Sequence, residues 1–131
     1  MPVPLHIMQI TQCLHAALLV TDLQRAEEFY SNVLGLSKSQ VRSLNFPGTW
    51  YQIGDFQLHL IVAPTSSQIQ NPEKWGRNPH ISFAVDDLDT AKHRLIAHNY
   101  PIQTSASGRP ALFTKDPDNN IIELSQQSVN S

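Results

Sequence analysis

Four side chains carry the chemistry in this chain: His15, His59, His80 and Glu123. Imidazole and carboxylate donors together suit a zinc, nickel, iron or manganese ion. Each stands among apolar neighbours, as in Leu58-His59-Leu60 and Ile121-Ile122-Glu123-Leu124. A glutamate in such a run is costly to bury unless it is paired or coordinates a metal. Singly, none of the four is persuasive, because a histidine in an apolar strand is more often a satisfied core or cleft residue. Their relation to one another changes the argument.

The chain states one pattern twice. Leu14-His15-Ala16-Ala17-Leu18-Leu19-Val20-Thr21-Asp22-Leu23 aligns without gaps on Pro79-His80-Ile81-Ser82-Phe83-Ala84-Val85-Asp86-Asp87-Leu88, 65 residues later. The far ends correspond too, since Leu58-His59-Leu60 falls on Ile122-Glu123-Leu124 at an offset of 64. A repeat of this kind organises the whole fold. Each half therefore begins and ends on a potential metal ligand. The other histidines, His6, His93 and His98, lie outside the pattern: one in the N-terminal arm, two on or after the second helix.

The elements that must position these residues follow from spacing. Residues 1–8 read as a loosely held arm and Gln9 to Val20 as a strand. Thr21-Asp22 offers N-cap oxygens, and Thr21 with Gln24 has capping-box spacing. Leu23, Ala26, Tyr30, Val33 and Leu34 recur at helical intervals, and Gly35 suits the left-handed position that ends a helix. Three extended segments follow, Leu36 to Leu44, Thr49 to Ile53 and Phe56 to Ala63, separated by turns at Asn45–Gly48 and Gly54-Asp55. The second half repeats the order: a strand from His80, a helix face of Leu88, Ala91, Leu95 and Ile96, then strands at 101–105, 110–114 and 121–125. The Asp116-Pro117-Asp118-Asn119-Asn120 turn separates the last two. The fold class is α+β: a single domain over 1–131, built of βαβββ modules at about 9–63 and 79–126, with a Pro-, Ser- and Asn-rich connector at 64–78 that has room for one helical turn.

Composition narrows the partners. With 131 residues, 40% hydrophobic, 15% charged and a net charge of −2, the chain is of ordinary globular make-up. Nothing in that balance favours nucleic acid or an anionic membrane. The longest apolar run is far too short to span a bilayer, and residues 1–6 lack the basic and small-residue features of a signal peptide, so a cytoplasmic location is expected. One cysteine excludes an internal disulfide. Two residues before His15, Cys13 is expected as a small buried hydrophobe on the same strand.

The segments from His15 to Leu23, Phe29-Tyr30-Ser31-Asn32-Val33-Leu34-Gly35-Leu36, His80 to Leu88 and Asp116 to Leu124 resemble the vicinal oxygen chelate superfamily, which includes glyoxalase I, fosfomycin-resistance proteins and extradiol dioxygenases. Asn119 departs from the glycine usual in that turn, but Asn tolerates positive φ. The resemblance implies mixed, curved sheets forming a cleft around one divalent metal held by His15, His59, His80 and Glu123. It also implies a homodimer in which His15 and His59 of one subunit meet His80 and Glu123 of the other; the alternative is a monomer supplying all four.

What the resemblance implies about chemistry is a small oxygenated substrate chelated through adjacent oxygens, handled in one of several ways. In a glyoxalase-like lyase or isomerase, Glu123 shuttles a proton between neighbouring carbons. In an extradiol dioxygenase, His15, His80 and Glu123 form an iron(II) triad and His59 serves as acid and base. A fosfomycin-resistance-like thiol transferase ranks third, because no basic cluster for a phosphonate is evident in the sequence. A non-catalytic binding protein of the resistance type would lack the ligands kept here. Arg109 is a candidate clamp for a substrate carboxylate, with Arg77 a weaker one. Trp50 and Phe113, with Tyr51 and Phe83, are candidate cleft walls.

Overall fold

A computed structural model describes residues 5–39, 47–66 and 68–127. It contains β1 (His15–Val20), α1 (Leu23–Glu27) continuing as a π-helical segment (Glu28–Val33), β2 (Ser37–Lys38), β3 (Gly48–Ile53) and β4 (Phe56–Val62). A 3-10 turn at Trp75–Arg77 follows in the connector. The second half supplies β5 (His80–Val85), α2 (Leu88–Ala97), β6 (Ile102–Thr104), β7 (Ala111–Lys115) and β8 (Ile121–Gln126). The strands form two four-stranded sheets of identical plan, β1-β4-β3-β2 and β5-β8-β7-β6. In each, the first strand runs parallel to the last and the remaining pairs are antiparallel. The duplicated βαβββ organisation is as the repeat requires. No helix among the described residues is long and apolar enough to cross a membrane.

Alternation of side chains sorts each sheet into two faces. Val20, Leu58 and Leu60 of the first sheet, with Leu112, Ile122 and Leu124 of the second, join Ala26, Phe29, Tyr30, Val33 and Leu95 of the helices in one core. Tyr51 is fully buried in that core, and Phe83 packs against it. Neither of these two aromatics therefore lines the ligand-bearing face, unlike the expectation that grouped them with Trp50 and Phe113.

Several local expectations change. β1 starts at His15 and not at Gln9, because β4, its only partner among the described residues, first meets it at the Gln57–His15 pairing. Residues 9–14 are consequently irregular and exposed, and Cys13 is exposed with them, not buried. Asp22 caps α1 by accepting from the Arg25 amide, whereas Thr21 turns away to Asp118 in the other module. The expected strand to Leu44 is only Ser37–Lys38 among the described residues, and its remainder, with Asn45 and Phe46 of the expected turn, lies outside them. Ile96, expected on the buried face of α2, is 54% exposed. Gly35 and Asn119 take the positive φ expected of them, 75° and 66°.

The modules are locked by the turn between β7 and β8. The buried Asp116 carboxylate accepts from the Tyr30 hydroxyl at 2.7 Å, from Asn120 Nδ2 at 2.9 Å, and from the amides of Asp118 and Asn120 at 2.8 Å each. Burial pushes this carboxyl above the ordinary range, and the hydrogen bonds oppose that rise. The Tyr30 phenol is pushed well up by burial and by Asp116, so it stays a donor. Asp118 receives the Thr21 amide and hydroxyl, and Asn120 Nδ2 also donates to the Leu19 carbonyl. From the other side, Arg94 of α2 donates to the Val33 and Asn32 carbonyls that end the first helix. Replacing Tyr30 by Phe removes a charge-assisted hydrogen bond and leaves Asp116 Oδ2 with Asn120 alone, so Tyr30→Phe should lower stability by about 1–3 kcal/mol. A shift of the urea midpoint at unchanged m-value is the expected readout, and an unmoved midpoint would show the link to be dispensable.

Candidate functional site

Register places the four candidate ligands equivalently. His15 pairs with Gln57 and Ala17 with His59; His80 pairs with Ile121 and Ser82 with Glu123. Each pair thus comprises the first residue of an edge strand and a residue offset by two on its parallel neighbour. Trp50 lies opposite His59 on β3, and Phe113 opposite Glu123 on β7, so both aromatics stand on the ligand-bearing faces.

Within one chain the structure makes two pairs, not a quartet. Among the described residues, no group of three or more His, Cys, Asp or Glu side chains is placed to hold an ion. A cavity of about 770 Å³ between β1 and β5, walled by residues such as Leu18, Phe56 and Ile81, reaches His80 alone of the four.

The second-module pair is the better formed. His80 Nδ1 lies 2.8 Å from the Asn78 carbonyl, so Nδ1 carries the proton and Nε2 presents a lone pair. That Nε2 is 3.4 Å from Glu123 Oε1. Two acceptors facing each other need a positive charge between them, a proton or a metal ion. Two donors each about 2.1 Å from a tetrahedral ion stand about 3.4 Å apart, so the observed spacing fits a metal. Glu123 is only 5% exposed, and Arg109 Nη2 meets its Oε2 at 3.0 Å. The Arg109 guanidinium, expected as a substrate clamp, is therefore engaged with the candidate ligand itself. Phe113 sets its ring edge-on to His80 at 5.5 Å. Gly76 makes that placement possible: a Cβ there would come within 2.6 Å of Phe113 Cζ.

The first-module pair is arranged differently. His59, 8% exposed, is sandwiched between the Trp50 ring at 3.9 Å and the His15 ring at 4.3 Å. A chain of amides settles its tautomer. Gln52 Nε2 donates to the Gly54 carbonyl and Gln57 Nε2 donates to Gln52, so Gln57 Oε1 accepts from His59 Nε2 at 2.9 Å. His15 and His59 lie 14° from parallel, so their in-plane lone pairs do not meet at one point as placed. One ring must turn before both can hold the same ion.

Sequence reasoning missed four parts of this site. Gln57 was within reach, being two residues from His59 on the same strand face. The Gly76 contact had no local signal, since it depends on how the connector folds over β7, and the Asn78 carbonyl, only two residues before His80, is a backbone group that residue types do not reveal. The basic cluster absent from the sequence reading is assembled in space: Lys74, Arg77 and Arg109 line one cavity of about 470 Å³ beside Phe113.

Comparison with known proteins identifies the family. The family model of the Glyoxalase/Bleomycin resistance protein/Dioxygenase superfamily matches residues 12–124, and the chain belongs to that superfamily. A probable lactoylglutathione lyase of Vibrio cholerae is 30% identical over 122 residues, covering 86% of this chain and 88% of its own. The human mitochondrial methylmalonyl-CoA epimerase is 27% identical over 127 residues, covering 86% and 72% respectively. Among solved structures, a lactoylglutathione lyase from Agrobacterium tumefaciens superposes with a TM-score of 0.65 at 25% identity, covering 91% of this chain and 96% of that one.

Burial, and then the neighbouring His15, hold the His59 imidazole below its ordinary range. The unfolded chain takes up a proton near pH 6.5 that the folded site resists. Stability of the metal-free protein should therefore fall as pH drops through about 6.5, and His59→Gln should flatten that part of the profile. Urea midpoints compared at pH values above and below this range measure it; an equal slope in both proteins would mean His59 charges freely in the fold.

Proposed function

We propose that this protein is a divalent-metal-dependent enzyme that moves a proton on a small substrate chelated through adjacent oxygens, in the manner of a glyoxalase-like lyase or isomerase. The observation that carries this reading is the 3.4 Å approach of His80 Nε2 to Glu123 Oε1 on a nearly buried carboxylate. The names of two relatives, an epimerase and a lyase, are compatible with chemistry at a carbon beside an oxygen.

His15, His80 and Glu123 would hold the ion, with His59 beside it either as a fourth ligand or as a proton-carrying neighbour. When bound, a zinc, nickel, iron or manganese ion draws negative charge onto the substrate oxygens. The chain supplies the rest. Asn78 keeps the His80 proton on Nδ1. Arg109 holds Oε2 of Glu123 and leaves Oε1 directed at His80, where it can accept a proton from carbon and return it. Trp50 and Phe113 wall the two sides and exclude water.

Completion of the site by a second copy accounts for the two separate pairs. β1 and β5 are edge strands, each paired on one side only among the described residues. Their ligand-bearing faces expose His15, Ala17 and Leu19, and His80, Ser82 and Ala84. An unpaired edge is a template for another strand, and the small residues allow close approach. Side-by-side placement of β1 with β5 of a second copy brings His15 and His59 against His80 and Glu123 of that copy, and a two-fold axis makes two such sites.

The stacking of His59 favours a second reading. If its ring keeps its place nearly parallel to His15, its lone pair stays off the ion and His15, His80 and Glu123 remain, which is the count of an iron(II) triad in an extradiol dioxygenase. Turnover of a hemithioacetal with nickel or zinc supports the lyase; oxygen uptake with a catechol and iron(II) supports the dioxygenase.

His80→Ala and Glu123→Gln should each lose most bound metal and most turnover while keeping the far-ultraviolet dichroism of the wild type. Metal content equal to wild type in both would sink the assignment. Mixing unfolded His15→Ala and Glu123→Gln chains and refolding them together should restore metal to about a quarter of wild-type sites, since half the dimers then carry one intact site. No restoration would place all the ligands within a single chain.

A further inference from the structure

The cavity beside Phe113 points to the part of the substrate that the metal does not hold. It is lined by Lys74 and Arg77 from the connector and by Ser105, Ser107 and Arg109 from the segment that leads into β7. Glu73 is the one acidic residue in that lining. Among the described residues, neither Lys74 nor Arg77 is within ion-pair distance of a carboxylate. Their charges, with two hydroxyls, face an open volume of about 470 Å³. Such a lining favours an oxyanion over any neutral group.

This cavity adjoins the candidate metal pair. Gln103, Phe113 and Glu123 are successive cross-strand partners on β6, β7 and β8, so they form one row on one face. Gln103 and Phe113 line the cavity, and Glu123 comes next in the row, before Ser82 of β5. Arg109 spans the gap: its Nε meets Ser107 Oγ at 3.0 Å and its Nη2 meets Glu123 Oε2 at 3.0 Å. The connector is anchored over the row, because the Trp75 amide donates to Gln103 Oε1 and Gln103 Nε2 donates to the Glu73 carbonyl. The backbone that carries Lys74 and Arg77 is thus held over the row, with both side chains exposed to solvent.

We infer that the substrate is a short acid: a metal-chelating pair of oxygens at one end and, a few bonds away, a carboxylate or phosphate-type group bound by Lys74, Arg77 and Arg109. This rests on the metal-chelate reading for the position of the chelating end. The bound tail draws on Arg109 from the side opposite Glu123, so the same guanidinium orients the tail and the carboxylate that moves the proton.

Three hydroxamates test this on the nickel-loaded protein. Acetohydroxamate has the chelating head alone, succinic monohydroxamate adds a carboxylate, and phosphonoacetohydroxamate adds a phosphonate. One or both tailed compounds should bind at least about tenfold more tightly than acetohydroxamate. The Lys74→Gln, Arg77→Gln double variant should erase that advantage and leave acetohydroxamate binding unchanged. Which tail gains more tells carboxylate from phosphate. Tailed and untailed compounds of equal affinity would overturn the inference while leaving the metal reading intact. If acetohydroxamate itself fails to bind, the metal reading falls, and succinate and phosphonoacetate on metal-free protein decide the cavity. Binding of either, lost in the double variant, upholds the anion site; binding of neither rejects it.

Discussion

A single buried carboxylate governs how the two halves of this molecule face each other. Asp116 sits in the turn between β7 and β8, yet one of its strongest partners, Tyr30, belongs to the helix of the other module. Removing an ionisable group from water is unfavourable, and here four donors offset that cost. Because the donors come from both halves, the group is satisfied only when the halves meet at one angle. Asp118 on Thr21 and Asn120 on the Leu19 carbonyl add contacts at the end of β1. The orientation of β1, and of His15 at its start, follows from the turn of the other module.

The same register is used twice with unlike chemistry. In the first sheet, the position opposite Ala17 holds His59, whose ring is pressed between two others and whose proton is taken by an amide chain. In the second, the position opposite Ser82 holds Glu123, which gathers a histidine and an arginine. Duplication supplied the geometry, and substitution at one register position separated a neutral base from an acid.

Much of this was readable before the fold was known, for a definite reason. Repeats impose themselves on spacing, so His15, His59, His80 and Glu123 could be matched by offset alone, and strand alternation gave their faces. Most of the features that escaped depend on contacts distant in sequence. Thr21 has the spacing of a cap, but Asp118, 97 residues away, is the acceptor it meets. Cys13 has the hydrophobicity of a buried residue, but β4 begins too late to pair with it. Lys74 and Arg77 look like ordinary connector charges until Arg109 is brought beside them. The π-helical segment carries no pattern that distinguishes it from α-helix, since Phe29, Tyr30 and Val33 suit either.

The 3-10 turn at Trp75–Arg77 gives the linker between the halves a structural duty. Gly76 rests so close on Phe113 that any side chain would displace the ring. The tether that joins the duplicated units is therefore also a wedge behind an aromatic plate next to His80. Nicking or lengthening it would leave both sheets whole while loosening that plate. Homologous chains that differ only in this tether can thus differ in the shape of the surface beside His80, with His15, His59, His80 and Glu123 all unchanged.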